Sequence, residues 1–164
     1  GEEGAGLQVA QQFVHESRIR QAAASLGAAQ FCIDEAVDYA KERETWGKPL
    51  AQRQAIQFPL AELHTEAELL RNTIRKTAAA IDDEGEMITS SGSSVSQLVA
   101  MCNFTANDLV CRAADRAMQV HGGMGYSRRK PFEHIYRHHR RYRITEGAEE
   151  IQKRRVAGHL FDYV

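Results

Sequence analysis

The sequence predicts an all-α protein: an antiparallel, up-down four-helix bundle with an extra short helix. Three observations lead there. Apolar residues recur at spacings of three and four over three long stretches. Only three prolines (Pro49, Pro59, Pro131) and a few clustered glycines interrupt them. No stretch keeps the apolar/polar alternation of a half-buried strand. Long helices joined by short turns bury their stripes against one another, which is the logic of a bundle.

The first helix is expected over about 7–43. Ala22, Leu26, Ala29, Ile33, Val37 and Ala40 form its stripe, and the Gly47–Pro49 turn ends it. The second is expected over about 52–82, with Ile56, Leu60, Leu63, Ala67, Leu70, Ile74 and Ile81 in rhythm and Thr77 filling the gap. Pro59 marks either its first turn or a kink. The polar stretch "DDEGEMITSSGSS" reads as a mobile turn. A third helix, about 91–120, carries Val95, Val99, Cys102, Ala106, Leu109, Ala113 and Val120 on one face. "HGGMGY" reads as a glycine-rich turn, Pro131 suits the first position of a short helix over about 131–141, and Glu149 opens a last helix ending near Phe161. Small residues in the stripes (Ala22, Ala29, Ala67, Ala106, Ala113) allow close helix approach.

Bulk properties narrow the function classes. The chain has 164 residues, 43% hydrophobic and 26% charged, enough for one domain with a real core. A net charge of −1 argues against a bulk electrostatic partner such as nucleic acid. There is no apolar run of membrane-spanning length. Cys32, Cys102 and Cys111 are too few and too scattered for a disulfide framework or a zinc site, and they point to a reducing compartment.

Four stretches carry candidate chemistry. "ERETWGKPL" puts Arg43 at a helix C-terminus, where it either compensates the dipole or presents a guanidinium for a bidentate phosphate contact. In "QVHGGMGY", Gln119 is followed by three glycines, either a plain turn or a backbone that a phosphate or another chain approaches closely. No strand precedes it, so it is not a dinucleotide fingerprint. "SRRKPFEHIYRHHRRYR" is strongly basic: a solvated face, a protein interface or a nucleic-acid surface all fit, although the aromatics lack the arrangement of an RNA or DNA module. His138 and His139 are sequence neighbours on different helix faces, hence poor joint metal ligands. In "YRITEGAEEIQ", Glu146 beside Gly147 is either the cap of the last helix or a carboxylate positioned as a base on a flexible turn.

Taken in order, these stretches resemble the C-terminal helical domain of flavin-dependent acyl-CoA dehydrogenases. "GEEGAGLQVA" resembles the exit from that family's middle β-domain, so residues 1–6 are expected to be the end of a linker and 7–164 the bundle. "RIRQAAASLGAAQFCIDEAVDYAKERETWGKPLAQRQAIQF" resembles its first helix and arginine-aromatic-glycine turn. "AMQVHGGMGYSRRKPFEHIYR" and "RITEGAEEIQ" resemble its glycine-pair segment and its glutamate-glycine base loop.

The resemblance implies α,β-dehydrogenation of an acyl-CoA thioester with FAD as hydride acceptor, in a soluble homo-oligomer (dimer or tetramer) that passes electrons to an electron-transfer acceptor. It implies a cytoplasmic location, or the mitochondrial matrix in a eukaryote. By likeness Glu146 is the catalytic base, and its N–H is one of the donors to the enolate oxygen. Arg43, Thr45, Trp46, Gln54, Gln119, Gly122 and Gly123 correspond to contacts with a neighbouring subunit's FAD; Ala148 and Glu150 to contacts with flavin on the same subunit; Arg18 and Gly147 to the substrate side.

Several positions depart from the family pattern. Ala148 stands where threonine is common, Trp46 where phenylalanine is, Asn103 where a lysine is and His138 where an aspartate is. Some relatives carry the base on the first helix; the matching position here is Ser17, which cannot serve, and Glu16 beside it points about 100° away. The alternative of a different class is a non-catalytic oligomerisation module of the same fold; a basic bundle that binds nucleic acid is the third reading.

Overall fold

The computed structural model describes residues 3–84 and 94–163. The first helix, α1, spans Gly6–Glu42, and Arg43 is its extended C-cap. Ala22, Leu26, Ala29, Ile33 and Ala40 of its stripe are buried, and Val37 is half-buried. A minimal hairpin follows, β1 (Glu44–Thr45) paired antiparallel with β2 (Lys48–Pro49). No alternation marks this stretch as strand, because two residue pairs are too few to show it. The hairpin forms because Trp46 and Gly47 both adopt positive φ, 55° and 72°, the geometry a two-residue connection requires.

After a 3₁₀ turn at Leu50–Gln52, α2 runs Gln54–Glu84 with Pro59 inside it. The proline therefore lies within the helix, where it removes the bond its amide would have made to Ala55. The expected polar turn falls largely outside the described residues, although Asp82 and Asp83 belong to α2. The third helix, α3, is Ser94–His121, and all seven residues of its predicted stripe are buried. The glycine segment is not only a turn: Gly123–Tyr126 makes one helical turn, α4. Pro131 is the N-cap of α5 (Phe132–Arg140) rather than its first residue. A 3₁₀ turn, Arg141–Arg143, leads to α6, Glu149–Leu160.

Named cross-links give the helix directions. Ser96 meets His15, Asn103 meets Arg18, Asn107 meets Ser25 and His121 stacks on Tyr39, so α1 and α3 run parallel. Arg71 reaches back to Gln30, and Thr77 touches Cys102, so α2 is antiparallel to both. Arg155 bonds Ser96 while Lys153 lies over Phe104, so α6 is antiparallel to α3. His139 meets Ser25 and Phe132 meets Phe31, so α5 is antiparallel to α1. The bundle is thus up-down-up-down, with a fourth column divided between α5 and α6. Ala22, Ala29, Ala36, Ala106, Ala113 and Ala117 are almost completely buried and let the parallel pair α1/α3 approach closely.

The upper half of the divided column is fastened by a buried polar set. Ser25 Oγ donates to Asn107 Oδ1 at 2.8 Å and lies 3.0 Å from His139 Nδ1. Asn107 Nδ2 donates to the Tyr142 carbonyl at 3.1 Å. Burial, reinforced by His138, Arg141 and His134, lowers the His139 pKa from 6.5 to about 4. Burial near Arg155 and Arg18 does the same to His15. In the window from pH 6.5 to 4 the unfolded chain therefore binds protons that the folded chain does not, so stability rises with pH there. Chemical denaturation at a series of pH values should show unfolding free energy falling as pH drops from 6.5 to 4, and His139→Asn should flatten that slope.

Candidate functional site

The break in the fourth column is a turn at Glu146–Gly147. Glu146 has φ 58° and Gly147 φ 95°. A left-handed conformation costs a glutamate about 1–2 kcal/mol, so it persists only where neighbours enforce it. Two side chains do so. Arg18 Nε donates to the Glu146 carbonyl at 2.8 Å. Gln152, fully buried, donates from Nε2 to the carbonyls of Glu146 at 3.2 Å and Gly147 at 3.1 Å. The backbone that carries Arg18 is itself tied to α3, because Asn103 Nδ2 donates to the Arg18 carbonyl at 3.2 Å. A Cβ at Gly147 would lie 3.0 Å from both Arg18 Nη2 and Gln152 Nε2, a tight fit against two side-chain ends, and the positive φ is what demands glycine there.

The capping reading of Glu146 is replaced by this geometry. Ala148 occupies the N-cap position of α6 and makes no side-chain cap bond. The start of α6 is held instead by an ion-pair set. Arg143 donates to Glu149 at 2.6 Å and pairs with Asp108 at 3.2 Å, while Lys153 pairs with Glu149 at 3.1 Å. The hydrogen bond from Arg143, with help from Lys153, lowers the Glu149 pKa from 4.5 to about 2. Burial and the nearby Arg155 lower the Arg18 pKa to about 10, against the raising field of Glu146.

Arg18, Glu146 and Gly147 are therefore brought together. Ala148 is half-buried beside them, and Glu150 is exposed on the first turn of α6. Ser17 is half-buried and Glu16 exposed on α1.

The other predicted residues form a second group at the far end. Arg43, Thr45 and Trp46 lie on or beside the hairpin and Gln54 opens α2, while Gln119 is in the last turn of α3 and Gly122 and Gly123 lead into α4; the two groups share an end because α1 and α3 run parallel. Arg43 follows Arg18 by 25 residues, which is about 37 Å of helix at about 1.5 Å per residue. One compact pocket on this chain cannot hold both groups. Trp46 is 94% exposed at the hairpin tip, and the loop beneath it is braced by Arg53, which donates to the Thr45 carbonyl.

The three glycines have different reasons. A Cβ at Gly125 would sit 2.6 Å from the Met118 carbonyl, so that glycine serves internal packing. Gly122 has φ 61°. Gly123 has neither constraint, and nothing lies within 4 Å of where its Cβ would be. The Cβ position of Gly122 is equally clear, so both glycines leave backbone open from outside.

In the basic segment, Lys130 pairs with Glu35, Arg137 with Glu133, and Arg143 with Asp108 and Glu149. Part of its charge is thus compensated within the fold. Among the described residues, no group of three or more His, Cys, Asp or Glu side chains is placed to hold a metal ion, and no helix is long and apolar enough to cross a membrane. Sequence reasoning missed Gln152, Asn103 as a brace, and the buried set His15, Ser96 and Arg155. Only a register of α1, α3 and α6 could have brought these together.

Comparison with known proteins follows this geometry. The family profile described as "Acyl-CoA dehydrogenase, C-terminal domain" matches residues 4–161. The chain is 39% identical over 160 residues to the mitochondrial short-chain specific acyl-CoA dehydrogenase of Bos taurus, covering 98% of this chain and 37% of that protein. It is 36% identical over 163 residues to the short-chain specific acyl-CoA dehydrogenase of Megasphaera elsdenii, covering 98% and 40%. The solved butyryl-CoA dehydrogenase of Megasphaera elsdenii superposes with a TM-score of 0.86 at 34% identity, over 98% of this chain and 40% of that one. The glutaryl-coenzyme A dehydrogenase–glutaryl-CoA complex gives a TM-score of 0.88 at 32% identity, over 100% and 40%. The chain thus spans well under half the length of each of these relatives.

Gly147→Ala tests the turn directly. It forces a Cβ against Arg18 and Gln152 at positive φ and should destabilise the chain by about 1–3 kcal/mol, measured by chemical denaturation.

Proposed function

This chain belongs to the acyl-CoA dehydrogenase family, as its C-terminal domain, and from that premise we propose that it serves α,β-dehydrogenation of an acyl-CoA thioester, with Glu146 as the base. The observation that carries the reading is the carboxylate's backbone: a left-handed turn pinned through its carbonyl by Arg18 and Gln152. A base must be fixed relative to the proton it removes, and a turn with both carbonyls tied to side chains moves little.

The chemistry asks three things of these residues. The carboxylate of Glu146 takes a proton from the α carbon of the thioester. The charge that develops on the thioester oxygen needs donors already in position, and the N–H of Glu146 is one candidate. A nearby cation favours negative charge, and Arg18 lies close enough to Glu146 for the two charges to act on each other. FAD, when bound, accepts the hydride from the β carbon, leaving the double bond.

The far-end group supports an FAD contact made across a subunit boundary. Trp46 offers an exposed aromatic face, Arg43 an exposed guanidinium and Gly123 open backbone; Thr45, Gln54, Gln119 and Gly122 flank them. With the far end about 37 Å from the base, these residues fit a cofactor held mainly by another subunit. Ala148 and Glu150 are the residues next to the base that would face flavin on the same subunit.

A homo-oligomer follows from that assignment, with an electron-transfer acceptor reoxidising the cofactor in the cytoplasm or, in a eukaryote, the mitochondrial matrix. Phe58 and Leu69, 56% and 67% exposed, share one outer face of α2 and suit a subunit contact. An oligomerisation module without catalysis would use the same surfaces but would place no demand on Glu146.

Glu146→Gln in the full-length protein separates the two. Turnover of an acyl-CoA with an artificial electron acceptor should fall at least about 10²–10⁴-fold while the flavin absorbance spectrum is retained. Unchanged turnover would remove Glu146 from the role. The 164-residue chain alone should neither turn over an acyl-CoA nor carry stoichiometric flavin, which its visible absorption spectrum checks.

A further inference from the structure

We infer that His121 is a positioning residue, whose ring clamps the last turns of α1 to the glycine pair after α3 and so holds the two halves of the far-end group in register. That this register serves a cofactor rests on the function proposed above; the clamp itself does not.

The two halves come from distant parts of the chain. Arg43, Thr45 and Trp46 follow α1, while Gln119, Gly122 and Gly123 surround the end of α3. Each half is fastened to the same side chain. His121 is the last residue of α3 and is 3% exposed. Its ring stacks on Tyr39 of α1, with centroids 4.2 Å apart and planes 23° from parallel, and packs on Phe132 of α5 at 4.7 Å. Tyr39 in turn holds the hairpin. Its carbonyl accepts the Arg43 N–H at 2.8 Å, and the Arg43 carbonyl accepts the Leu50 N–H at 2.8 Å.

On the other side, α4 folds back onto the end of α3. A Cβ on Gly125 would lie 2.7 Å from His121 Cβ and 2.6 Å from the Met118 carbonyl oxygen. Gly122 and Gly123 therefore sit in a short span whose two ends, His121 and Gly125, lie against each other. Gly122 donates its N–H to the Gln119 carbonyl at 3.2 Å, and its own carbonyl accepts the Tyr126 N–H at 3.3 Å. The ring that carries this span is the ring that touches Tyr39.

A neutral imidazole suits the place. Nδ1 lies 2.9 Å from the Ala117 carbonyl, which only accepts, so the ring proton sits on Nδ1. Nε2 then carries a bare lone pair, buried and without a hydrogen-bond partner. Ala117 fixes one edge of the ring, and Tyr39 and Phe132 pack against it. The titratable and charged groups facing it are Tyr39 and Glu35 from α1 and Lys130 from the segment before α5. Lys130 and Glu35 pair at 2.7 Å, and their fields on the ring oppose each other. Burial lowers the His121 pKa, against the raising effect of the Ala117 bond. Protonation would place an N–H at Nε2, where no acceptor waits. A ring whose pKa is lower folded than unfolded favours the clamped state above the ordinary histidine pKa, and progressively less as pH falls below it.

Hydrogen exchange of single amides in the 164-residue chain, followed by NMR, tests the clamp. The amides of Arg43, Leu50, Gly122 and Tyr126 report the two halves, and those of Ile151 and Gln152, bonded to Ala148 at the other end, are the reference. His121→Leu keeps bulk but removes the stack, and should speed the four reporters about tenfold relative to the reference. His121→Phe keeps a ring between Tyr39 and Phe132 and should stay within about twofold of the parent chain. Equal acceleration of reporters and reference in His121→Leu overturns the inference, because it marks a residue that only adds to global stability. Unchanged reporters overturn it too, as does His121→Phe opening them as much as His121→Leu. If His121→Leu does not fold, Tyr39→Leu, which strips the stack from the α1 side, decides by the same ratio. Lowering the pH from about 7 to about 5 should raise the ratio in the parent chain and not in His121→Phe. A ratio that stays flat in the parent chain, or rises equally in both, overturns the part assigned to the neutral ring. In the full-length protein His121→Leu should weaken FAD binding about tenfold. Unchanged FAD affinity beside the expected exchange result overturns the cofactor part alone, and the role of Glu146 keeps its own separate test.

Discussion

The hydrogen bond from Arg18 Nε to the Glu146 carbonyl is the contact on which this architecture turns. The fourth column of the bundle could have been one helix. It is two, and the join between them is a left-handed pair of residues that would revert to an ordinary loop without outside support. Arg18 supplies that support from α1, and Asn103 of α3 holds the Arg18 backbone in turn. Gln152 closes the ring from α6 itself. Two neighbouring columns and the helix that follows the turn therefore specify it together, which is the condition under which a strained backbone becomes a fixed one. The same two side chains crowd the place where a Cβ on Gly147 would sit.

The packing of the central pair sets where the functional residues can be. Alanines at the α1/α3 contact bring the two helices close, and because they run parallel their C-termini emerge together. The hairpin after α1 and the glycine segment after α3 are consequently neighbours in space, although some 75 residues apart in sequence. The turn at Glu146 lies far down the same pair. One bundle thus presents two separate surfaces, a geometry that suits a subunit contributing a base to one cofactor and a docking edge to another.

Much of this was legible in the sequence, for identifiable reasons. The stripes of α1, α2 and α3 repeat at helical spacing over many turns, so their core residues were readable almost one for one; Leu60, Leu63, Ala67 and Leu70 are all buried. Gly147 and Gly47 marked turns, and both adopt the positive φ that glycine bears most cheaply. What the sequence concealed was polar and non-local. Gln152 looks like any surface glutamine of a short, charged helix until the turn is seen to need two donors. His15, Ser96 and Arg155 are separated by 81 and 59 residues and meet only through helix register. Glu146 was read as a cap or a base, and its own positive φ had no local signal, since glutamate adopts it only under tertiary constraint. The three glycines of "HGGMGY" looked equivalent, whereas packing at Met118 accounts for Gly125 and not for Gly123.

Of the non-glycine residues at positive φ among the described residues, Trp46 and Glu146 fall in the two groups that the family resemblance marks, while Asp162 follows the end of α6. Their supports differ in kind. Trp46 is carried by its own hairpin, where the strand pairs Glu44–Pro49 and Thr45–Lys48 enforce the turn and the side chain is left in solvent. Glu146 is carried by charged and amide side chains from other helices. A perturbation at the hairpin therefore stays local, while any change in the charge beside Arg18 is transmitted to the turn. Arg155 and Glu146 are two such charges: Arg155 lowers the Arg18 pKa and Glu146 raises it. The hold on the Glu146 turn and the charges around Arg18 are thus linked through a single guanidinium.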